Sequence, residues 1–184
     1  MKTEGESIGE SLVRVRLRPL HVDDAELLAD LYAANRAFLA PFDPIRPADF
    51  FTPAGQRRSL EGLARDRAMD AGERFLIEAD GEPAGVISAS RVTRGAFQNA
   101  GLGYWVAQHL NGRGVATEAV RLVCRWGFDE AGLHRLEAAT LVDNLGSQAV
   151  LRRNRFTEIG RSPRYLHIAG AWRDHLLFAR TVED

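Results

Sequence analysis

Apolar residues recur along the chain with two different periods, and these periods predict an alternation of strands and helices. Near the N-terminus, apolar residues alternate loosely with arginines, which predicts an edge strand that Pro19 ends. Apolar positions at helical spacing after Asp23 and Asp24 predict a helix with acidic residues in its first turn. The full predicted series is a strand at 12–19, a helix at Ala25–Tyr32, a helix at 53–71, strands at Phe75–Ile77 and Val86–Val92, a strand at Gly101–Ala107, a helix at Val115–Asp129, a strand at Leu136–Val142, a short helix at Ser147–Asn154, and strands at Tyr165–Ile168 and Trp172–Ala179.

Turn residues and one irregular segment separate these elements. Asp80-Gly81 is typical of a hairpin turn, and Ala169-Gly170 joins the last two predicted strands. Prolines interrupt the segment between the first two helices and exclude a regular helix there; they are Pro41, Pro44 and Pro47. Aromatic side chains in and around this segment predict a packed loop that lines part of a site; they are Phe38, Phe42, Phe50 and Phe51.

The order of elements predicts a mixed α+β fold in one domain, because no internal repeat, low-complexity tract or linker interrupts it. The chain has 184 residues, of which 45% are hydrophobic and 27% charged, so it can bury one sizeable core as an ordinary globular protein does. The polar residues 1–10 predict a flexible N-terminal tail, and residues 11–184 form the predicted domain.

Charge and cysteine content narrow the possible partners. A formal net charge of −1 provides no electrostatic reason to expect direct nucleic-acid binding. The single cysteine, Cys124, excludes an intrachain disulfide and a multi-cysteine metal site, and its position in an apolar helical run predicts a core thiol; no metal is predicted. No apolar run is long enough for a membrane span, and the polar N-terminus lacks a secretory hydrophobic region. These features predict a cytoplasmic protein.

The segment Asn111–Ala119 carries the strongest chemical signal. It lies between a predicted strand and a predicted helix, and its two glycines allow a tight turn that exposes backbone N–H groups. The helix that follows adds partial positive charge, which favours a phosphate-bearing ligand. The dinucleotide-binding pattern is absent, because Thr117 stands three residues after Gly114, and the chain has no Gly-Lys-Ser/Thr triplet of a nucleotide P-loop. From the loop alone, a simple tight turn is an open alternative.

Several separated motifs resemble one family. Asn111-x-x-Gly114-x-Ala116 resembles the Gln/Arg-x-x-Gly-x-Gly/Ala motif of the GCN5-related N-acetyltransferases (GNAT), with Asn in the first position. Asn144-x-x-Ser147 resembles the exit of that family's fifth strand. Other segments are similar to its RimJ/RimL branch, which acetylates ribosomal-protein N-termini: Leu17–Leu20, Asn35–Leu39 and Tyr165–His175. The resemblance covers roughly residues 12–180.

The resemblance implies a fold and an activity. The fold is a single-domain GNAT fold with a mixed central sheet of about seven strands, a splay between strands 4 and 5, and helices on both faces. The activity is transfer of an acetyl group from acetyl-CoA to a primary amine by direct attack in a ternary complex. The leading acceptor is the N-terminal α-amine of a protein such as a ribosomal protein. The alternatives are a small amine, such as an antibiotic, a polyamine or an aminoacyl conjugate, or a non-catalytic acyl-CoA-binding module. A homodimer is left open.

The resemblance also implies roles for particular residues. The backbone N–H of Val106 polarises the thioester carbonyl, and Ser147 gives a proton to the coenzyme A thiolate, although Ser147 as no more than a helix N-cap is the alternative. Asn144 is predicted to bind the cofactor, and the alternative is that it only forms the turn before the helix. The predicted cofactor-binding residues are Tyr104, Trp105, Val106, Asn111, Gly112, Arg113, Gly114, Val115, Ala116, Thr117, Asn144 and Ser147; the predicted substrate-binding residues are Phe38, Phe42 and Tyr165.

The general base cannot be carried over from the family. Related enzymes have a glutamate just before the tyrosine that corresponds to Tyr165, and Arg164 stands there in this chain. A terminal α-amine has an unperturbed pKa near ~8, so part of it is already neutral and an ordered water can relay its proton. The candidate bases that the sequence leaves open are Glu82, Glu137, His134 and His175.

Overall fold

The computed structural model describes residues 13–184, so the predicted flexible tail at 1–10 lies outside the described residues. The helices and strands are β1 (Val15–Pro19), α1 (Ala25–Leu39), α2 (Pro53–Ala68), β2 (Gly72–Ala79), β3 (Glu82–Thr93), β4 (Asn99–Val106), α3 (Val115–Arg125), β5 (Arg135–Leu141), α4 (Leu145–Arg153), β6 (Thr157–Ile168) and β7 (Ala171–Thr181). None of the helices described is both long enough and apolar enough to span a bilayer.

The seven strands form one sheet in the order β1-β2-β3-β4-β5-β7-β6. Only β4 and β5 pair in parallel; the other neighbours are antiparallel. The parallel pair requires a crossover, and α3 makes it. The predicted α+β fold with a mixed sheet of about seven strands is confirmed.

Helices cover both faces of the sheet, each with its own apolar core. Ile87 packs with α3 residues such as Val120 and Val123, whereas its neighbour Val86 packs with Leu28 of α1 and Leu60 of α2. Because consecutive residues of a strand point to opposite faces, α1 and α2 lie on one face and α3 on the other. We call these the α1/α2 face and the α3 face. The prediction of helices on both faces is confirmed.

Cys124 belongs to the core on the α3 face and is 1% exposed. Burial raises the pKa of its thiol to about 11, a shift that Arg180 partly offsets. The side chain therefore stays protonated at neutral pH and acts as an apolar packing residue, as the helical pattern predicts.

The sheet opens between β4 and β5. The two strands pair only from Asn99–Leu102 to Arg135–Ala138, although β4 continues to Val106 and β5 to Leu141. The predicted splay is confirmed. Since the Ala107 N–H donates to the Ala84 carbonyl at 2.7 Å, the antiparallel ladder with β3 uses alternate residues of β4. Tyr104 and Val106 therefore direct their N–H groups away from β3 and into the gap.

Several predicted boundaries were wrong. Helix α1 extends to Leu39 and not Tyr32, and strands β2 and β3 are longer than predicted at both ends. The third long helix ends at Arg125 and continues as a π turn, Trp126–Glu130. Helix α4 begins at Leu145, because the side chain of Asn144 caps it. Strand β6 begins at Thr157 and not at Tyr165; it is an edge strand whose residues are mostly exposed, so no apolar alternation marks its first half.

Candidate active site

Two cavities meet where the sheet opens. The first, which we call the donor cavity, has a volume of about 300 Å³ and lies between the splayed strand, the glycine loop and the first turns of α4. All the predicted cofactor residues except Arg113 line it: Tyr104, Trp105, Val106, Asn111, Gly112, Gly114, Val115, Ala116, Thr117, Asn144 and Ser147. The sequence motifs are thus brought together around one space.

The glycine loop has a backbone that suits an anion. Gly112 and Gly114 have φ values of 78° and 80°, in the left-handed region that favours glycine. A Cβ atom at either position meets no atom within 4 Å, so both residues face open space beside the donor cavity. Gly114 is the N-cap of α3, and the first N–H groups of that helix have no intrahelical partners. The loop therefore presents unpaired donors and the positive end of a helix dipole.

Two other loop residues have different surroundings. The Asn111 side chain donates to the carbonyl oxygens of Ala107 and Gln108, at 3.3 and 3.1 Å, and so closes the loop on itself. Arg113 is exposed and does not line the donor cavity, and its contact with a phosphate stays a prediction. Its side chain follows a left-handed glycine, and the turn directs it to solvent.

Ser147 does not cap its helix. Asn144 is the N-cap of α4, and its Oδ1 accepts from the Ser147 N–H at 3.0 Å. The alternative that Ser147 serves only as a cap is therefore wrong. Its hydroxyl instead lies 2.9 Å from the hydroxyl of Tyr104, and either oxygen can be the donor of this bond. The single phenolic proton of Tyr104 can alternatively go to the Ser147 carbonyl, at 3.3 Å.

The environment of Tyr104 keeps its phenol protonated. Burial raises the pKa of Tyr104 to about 12, and the hydrogen bond with Ser147 offsets this only in part. A neutral phenol can donate to the hydroxyl oxygen of Ser147, and the Ser147 hydroxyl can then donate its own proton to another group. The two hydroxyls thus form a short chain along which a proton can move.

A second cavity, the acceptor cavity, has a volume of about 420 Å³ and lies on the α1/α2 face. It shares with the donor cavity the residues Leu39, Phe42, Tyr104, Trp105, Asn144 and Ser147. The hydroxyl pair therefore stands where the two spaces meet, which is the place at which a group held in one cavity can pass to a nucleophile held in the other.

An aromatic wall, formed by Tyr32, Phe50 and Trp105, borders the acceptor cavity. The Trp105 indole donates to the Tyr32 hydroxyl at 3.1 Å, and the Tyr32 ring lies 4.8 Å from the Trp105 ring and 4.9 Å from that of Phe50. The sequence analysis did not predict Tyr32 as a site residue, because its spacing is that of an ordinary apolar position in a helix. Charge at the wall comes from Arg74 and from the ion pair of Asp43 with Arg46, at 2.9 Å.

The predicted substrate-binding residues do not all line the same cavity. Phe42 lines both cavities. Phe38 lines only the donor cavity and lies in the last turn of α1, so its predicted place in a loop is wrong. Tyr165 lines neither of them, although Leu166 and Ile168 of the same strand line the acceptor cavity. Its ring lies 5.6 Å from that of His175, a residue that does line the acceptor cavity.

Of the candidate bases, only His175 lines one of the two cavities. His175 is 3% exposed, and its Nδ1 lies 3.0 Å from the Arg173 carbonyl, so only its other ring nitrogen is free for the acceptor cavity. Glu137 pairs with Arg135 at 2.7 Å and lies outside both cavities. His134 stands beside Glu183, and neither it nor Glu82 lines the two cavities.

Asn35 connects α1 to the end of the splayed strand. It is 7% exposed; its Oδ1 accepts from the Gln108 N–H at 3.0 Å and its Nδ2 donates to the Leu31 carbonyl at 2.9 Å. We expect Asn35→Ala to lower the free energy of unfolding by about 1–3 kcal/mol, because two part-buried hydrogen bonds of the Asn35 side chain are lost. Chemical denaturation measures this. Asp30→Ala, an exposed position of the same helix, serves as the control, and an equal loss in both variants contradicts the bridging role.

Comparison with known proteins agrees with this geometry. A model of the GNAT acetyltransferase domain matches residues 14–157. The chain belongs to the GNAT acetyltransferase family. This membership confirms the predicted class of enzyme, an N-acetyltransferase, and its cosubstrate, acetyl-CoA, for which the open glycine loop and the donor cavity have suitable groups.

Relatives of this GNAT protein include ribosomal-protein acetyltransferases. It is 38% identical to the probable N-acetyltransferase YjcK of Bacillus subtilis, covering 90% of this chain and 92% of the relative. It is 35% identical to the [ribosomal protein uS5]-alanine N-acetyltransferase of Escherichia coli, over 93% and 89%. The solved structure of Mycobacterium smegmatis RimJ in complex with CoA-disulfide has a TM-score of 0.88 and 36% identity, over 93% of this chain and 86% of that one. The resemblance to the RimJ/RimL branch is confirmed.

Proposed function

We propose that this GNAT protein acetylates the N-terminal α-amine of a protein, with a ribosomal protein as the leading acceptor. The observation that carries the proposal is the meeting of the donor and acceptor cavities at the Tyr104–Ser147 hydroxyl pair. The relative that is named a ribosomal-protein alanine acetyltransferase supports the choice of acceptor. The same function would put the enzyme in the cytoplasm, and a homodimer stays a prediction.

The charges of the acceptor cavity favour this acceptor over a polyamine. Its lining has two arginines, Arg46 and Arg74, and one carboxylate, Asp43, which is already paired with Arg46. A polyamine carries several positive charges, so it would enter a cavity without a spare carboxylate and against a free guanidinium. An N-terminal peptide carries a single ammonium and loses even that charge before it reacts.

Each part of the site has a proposed role. The loop N–H groups from Gly112 to Thr117 hold the pyrophosphate of acetyl-CoA, as helix N-termini hold anions. The Val106 N–H, which points into the gap between β4 and β5, donates to the thioester carbonyl and stabilises the negative charge that develops there. The Ser147 hydroxyl donates a proton to the departing thiolate, and Tyr104 donates to Ser147 in turn.

Asn144 acts through other residues in this proposal. Its side chain is occupied by the cap of α4, so it holds the first turn of that helix and the Ser147 hydroxyl in place. The acceptor amine reacts in its neutral form, and its proton passes to water or to the free ring nitrogen of His175. No strong base is required, because a terminal amine has a pKa near ~8.

A panel of acceptors tests the proposal. N-terminal peptides, spermidine and small aromatic amines are each incubated with the enzyme and acetyl-CoA, and mass spectrometry locates the acetyl group. We expect acetylation of the peptide α-amine with kcat/KM at least ~100-fold above that of spermidine. Efficient acetylation of spermidine or another small amine, with no peptide modified, contradicts the proposal.

The pH dependence follows from the proposed roles. We expect kcat/KM for a peptide to rise with pH, with a midpoint near the α-amine pKa of ~8, and to stay level up to at least pH ~9.5. The plateau is expected because burial holds the pKa of Tyr104 at about 12, so the phenol remains a donor throughout this range. A stopped assay of thiol release between pH ~6 and ~9.5 measures it. A decline above pH ~8.5, with the fold intact by circular dichroism, would assign proton donation to another group.

A further inference from the structure

The α1/α2 face of the sheet is open beside the acceptor cavity. Gly101 and Gly103 point to the same face as Trp105, since alternate residues of β4 share a face. Gly103 is exposed although it lies in a central strand of a seven-stranded sheet. Exposure at such a position means that neither α1 nor α2 covers the sheet here, and β4 contributes no side chain at Gly101 and Gly103.

A further cavity, which we call the far groove, occupies this open face. Its volume is about 550 Å³, and it shares Gly103, Ala139 and Leu166 with the acceptor cavity. The two spaces are therefore continuous across the Gly103 floor. Tyr165, which does not reach the acceptor cavity, lines the far groove.

The end of the far groove carries an unused hydrogen-bond acceptor and a positive charge. Asn99 is 7% exposed, and its Oδ1 has no hydrogen-bond partner among residues 13–184. The Arg91 guanidinium lies over the floor, since a Cβ atom built on Gly101 would stand 2.9 Å from Arg91 Nη2. Glu137 also lines the groove, but its carboxylate is held by Arg135 at 2.7 Å and by the Asn99 amide at 3.4 Å.

We propose that the far groove binds the polypeptide that follows the acceptor α-amine, in an extended conformation; this rests on the proposed function. A peptide bond offers both an N–H donor and a carbonyl acceptor. Asn99 Oδ1 accepts a hydrogen bond from the peptide N–H, and the Arg91 guanidinium donates one to the peptide carbonyl. A polyamine offers donors only and is repelled by Arg91.

The dimensions of the strand set the length of acceptor that is recognised. Asn99 lies four positions before Gly103 on β4. At about 3.3 Å per residue these positions span ~13 Å, so an extended acceptor reaches Asn99 with about four residues beyond those in the acceptor cavity. Recognition therefore extends to roughly the fifth or sixth residue of the substrate and not further.

The test compares two peptides that share the same first two residues, one two and one eight residues long. The readout is the ratio of kcat/KM for the long peptide to that for the short one, so a general loss of activity cancels. We expect a ratio above ~10 in the wild type. Asn99→Ala and Arg91→Gln should each lower it by about three- to tenfold, the effect of one lost hydrogen bond, mainly through KM. Arg125→Gln, an exposed arginine on α3, is the matched control and should leave the ratio unchanged.

The outcomes separate this inference from the proposed function. If both peptides are acetylated with a ratio near one, the groove does not bind the acceptor, while the proposed function stands. If the ratio is high but unchanged in Asn99→Ala and Arg91→Gln, the residues at the end of the groove are wrongly assigned. If no peptide is acetylated, both proposals fail. A ratio that falls in these two variants and not in Arg125→Gln supports the groove.

Discussion

Ser147→Ala should reduce kcat by about 10²- to 10⁴-fold and change the Kd of acetyl-CoA by no more than about threefold. The reason is that the Ser147 hydroxyl lies in a hydroxyl chain with Tyr104 and does not cap α4. Its loss removes the proposed proton donor and leaves the helix capped. Steady-state kinetics with a peptide acceptor gives kcat, and calorimetry with acetyl-CoA gives Kd.

Two variants serve as controls for Ser147. Asn144→Ala removes the actual cap and should lower the free energy of unfolding by about 1 kcal/mol, an effect that Ser147→Ala should not reproduce through α4. Tyr104→Phe keeps the ring and removes the second hydroxyl, so it should also reduce kcat with little change in Kd. If Ser147→Ala weakens acetyl-CoA binding as much as it slows turnover, the serine has a structural role and the proton comes from elsewhere.

Gly114→Asp should weaken acetyl-CoA binding about 100-fold, whereas Gly114→Asn should weaken it only about threefold. Asn and Asp have nearly the same shape, and both tolerate the left-handed conformation that Gly114 adopts. They differ in one negative charge at the N-cap of α3, where the pyrophosphate is proposed to bind. At ~5 Å and an effective dielectric constant of ~20, the repulsion from one phosphate charge is about 3 kcal/mol, which corresponds to on the order of 100-fold in Kd.

The same two substitutions at Gly81 are the matched control for this comparison. It also has a positive φ, of 90°, with no atom within 4 Å of a built Cβ, and it lies in the β2–β3 turn outside both cavities. Gly81→Asp and Gly81→Asn should bind acetyl-CoA with equal Kd. Equal Kd values for Gly114→Asp and Gly114→Asn would show that no anion lies near this loop. Raising the salt concentration should narrow the difference between the two Gly114 variants.

Local sequence was a good guide where neighbouring residues determine the structure. The glycines at 112 and 114 are compatible with left-handed turns that other residues adopt at a cost, so the loop and the helix after it were predictable. The splay was predictable only through resemblance, because no residue pattern marks the point where β4 and β5 stop pairing. The predicted strand β6 was too short for a related reason. Its backbone is held in the sheet by pairing with β7, and its own apolar pattern is weak.

The sequence by itself determined the order of the elements, the glycine turn before α3 and, through its motifs, the family of the protein. Each of these depends on residues a few positions apart, whose backbone preferences act locally. Only the tertiary structure decided which hydroxyls meet at the site, since Tyr104 and Ser147 are 43 residues apart. It also decided that Asn144 and not Ser147 caps α4, and that Asn99, Arg91 and Tyr165 share a groove. Packing across the sheet brings these groups together, and no local rule contains that information.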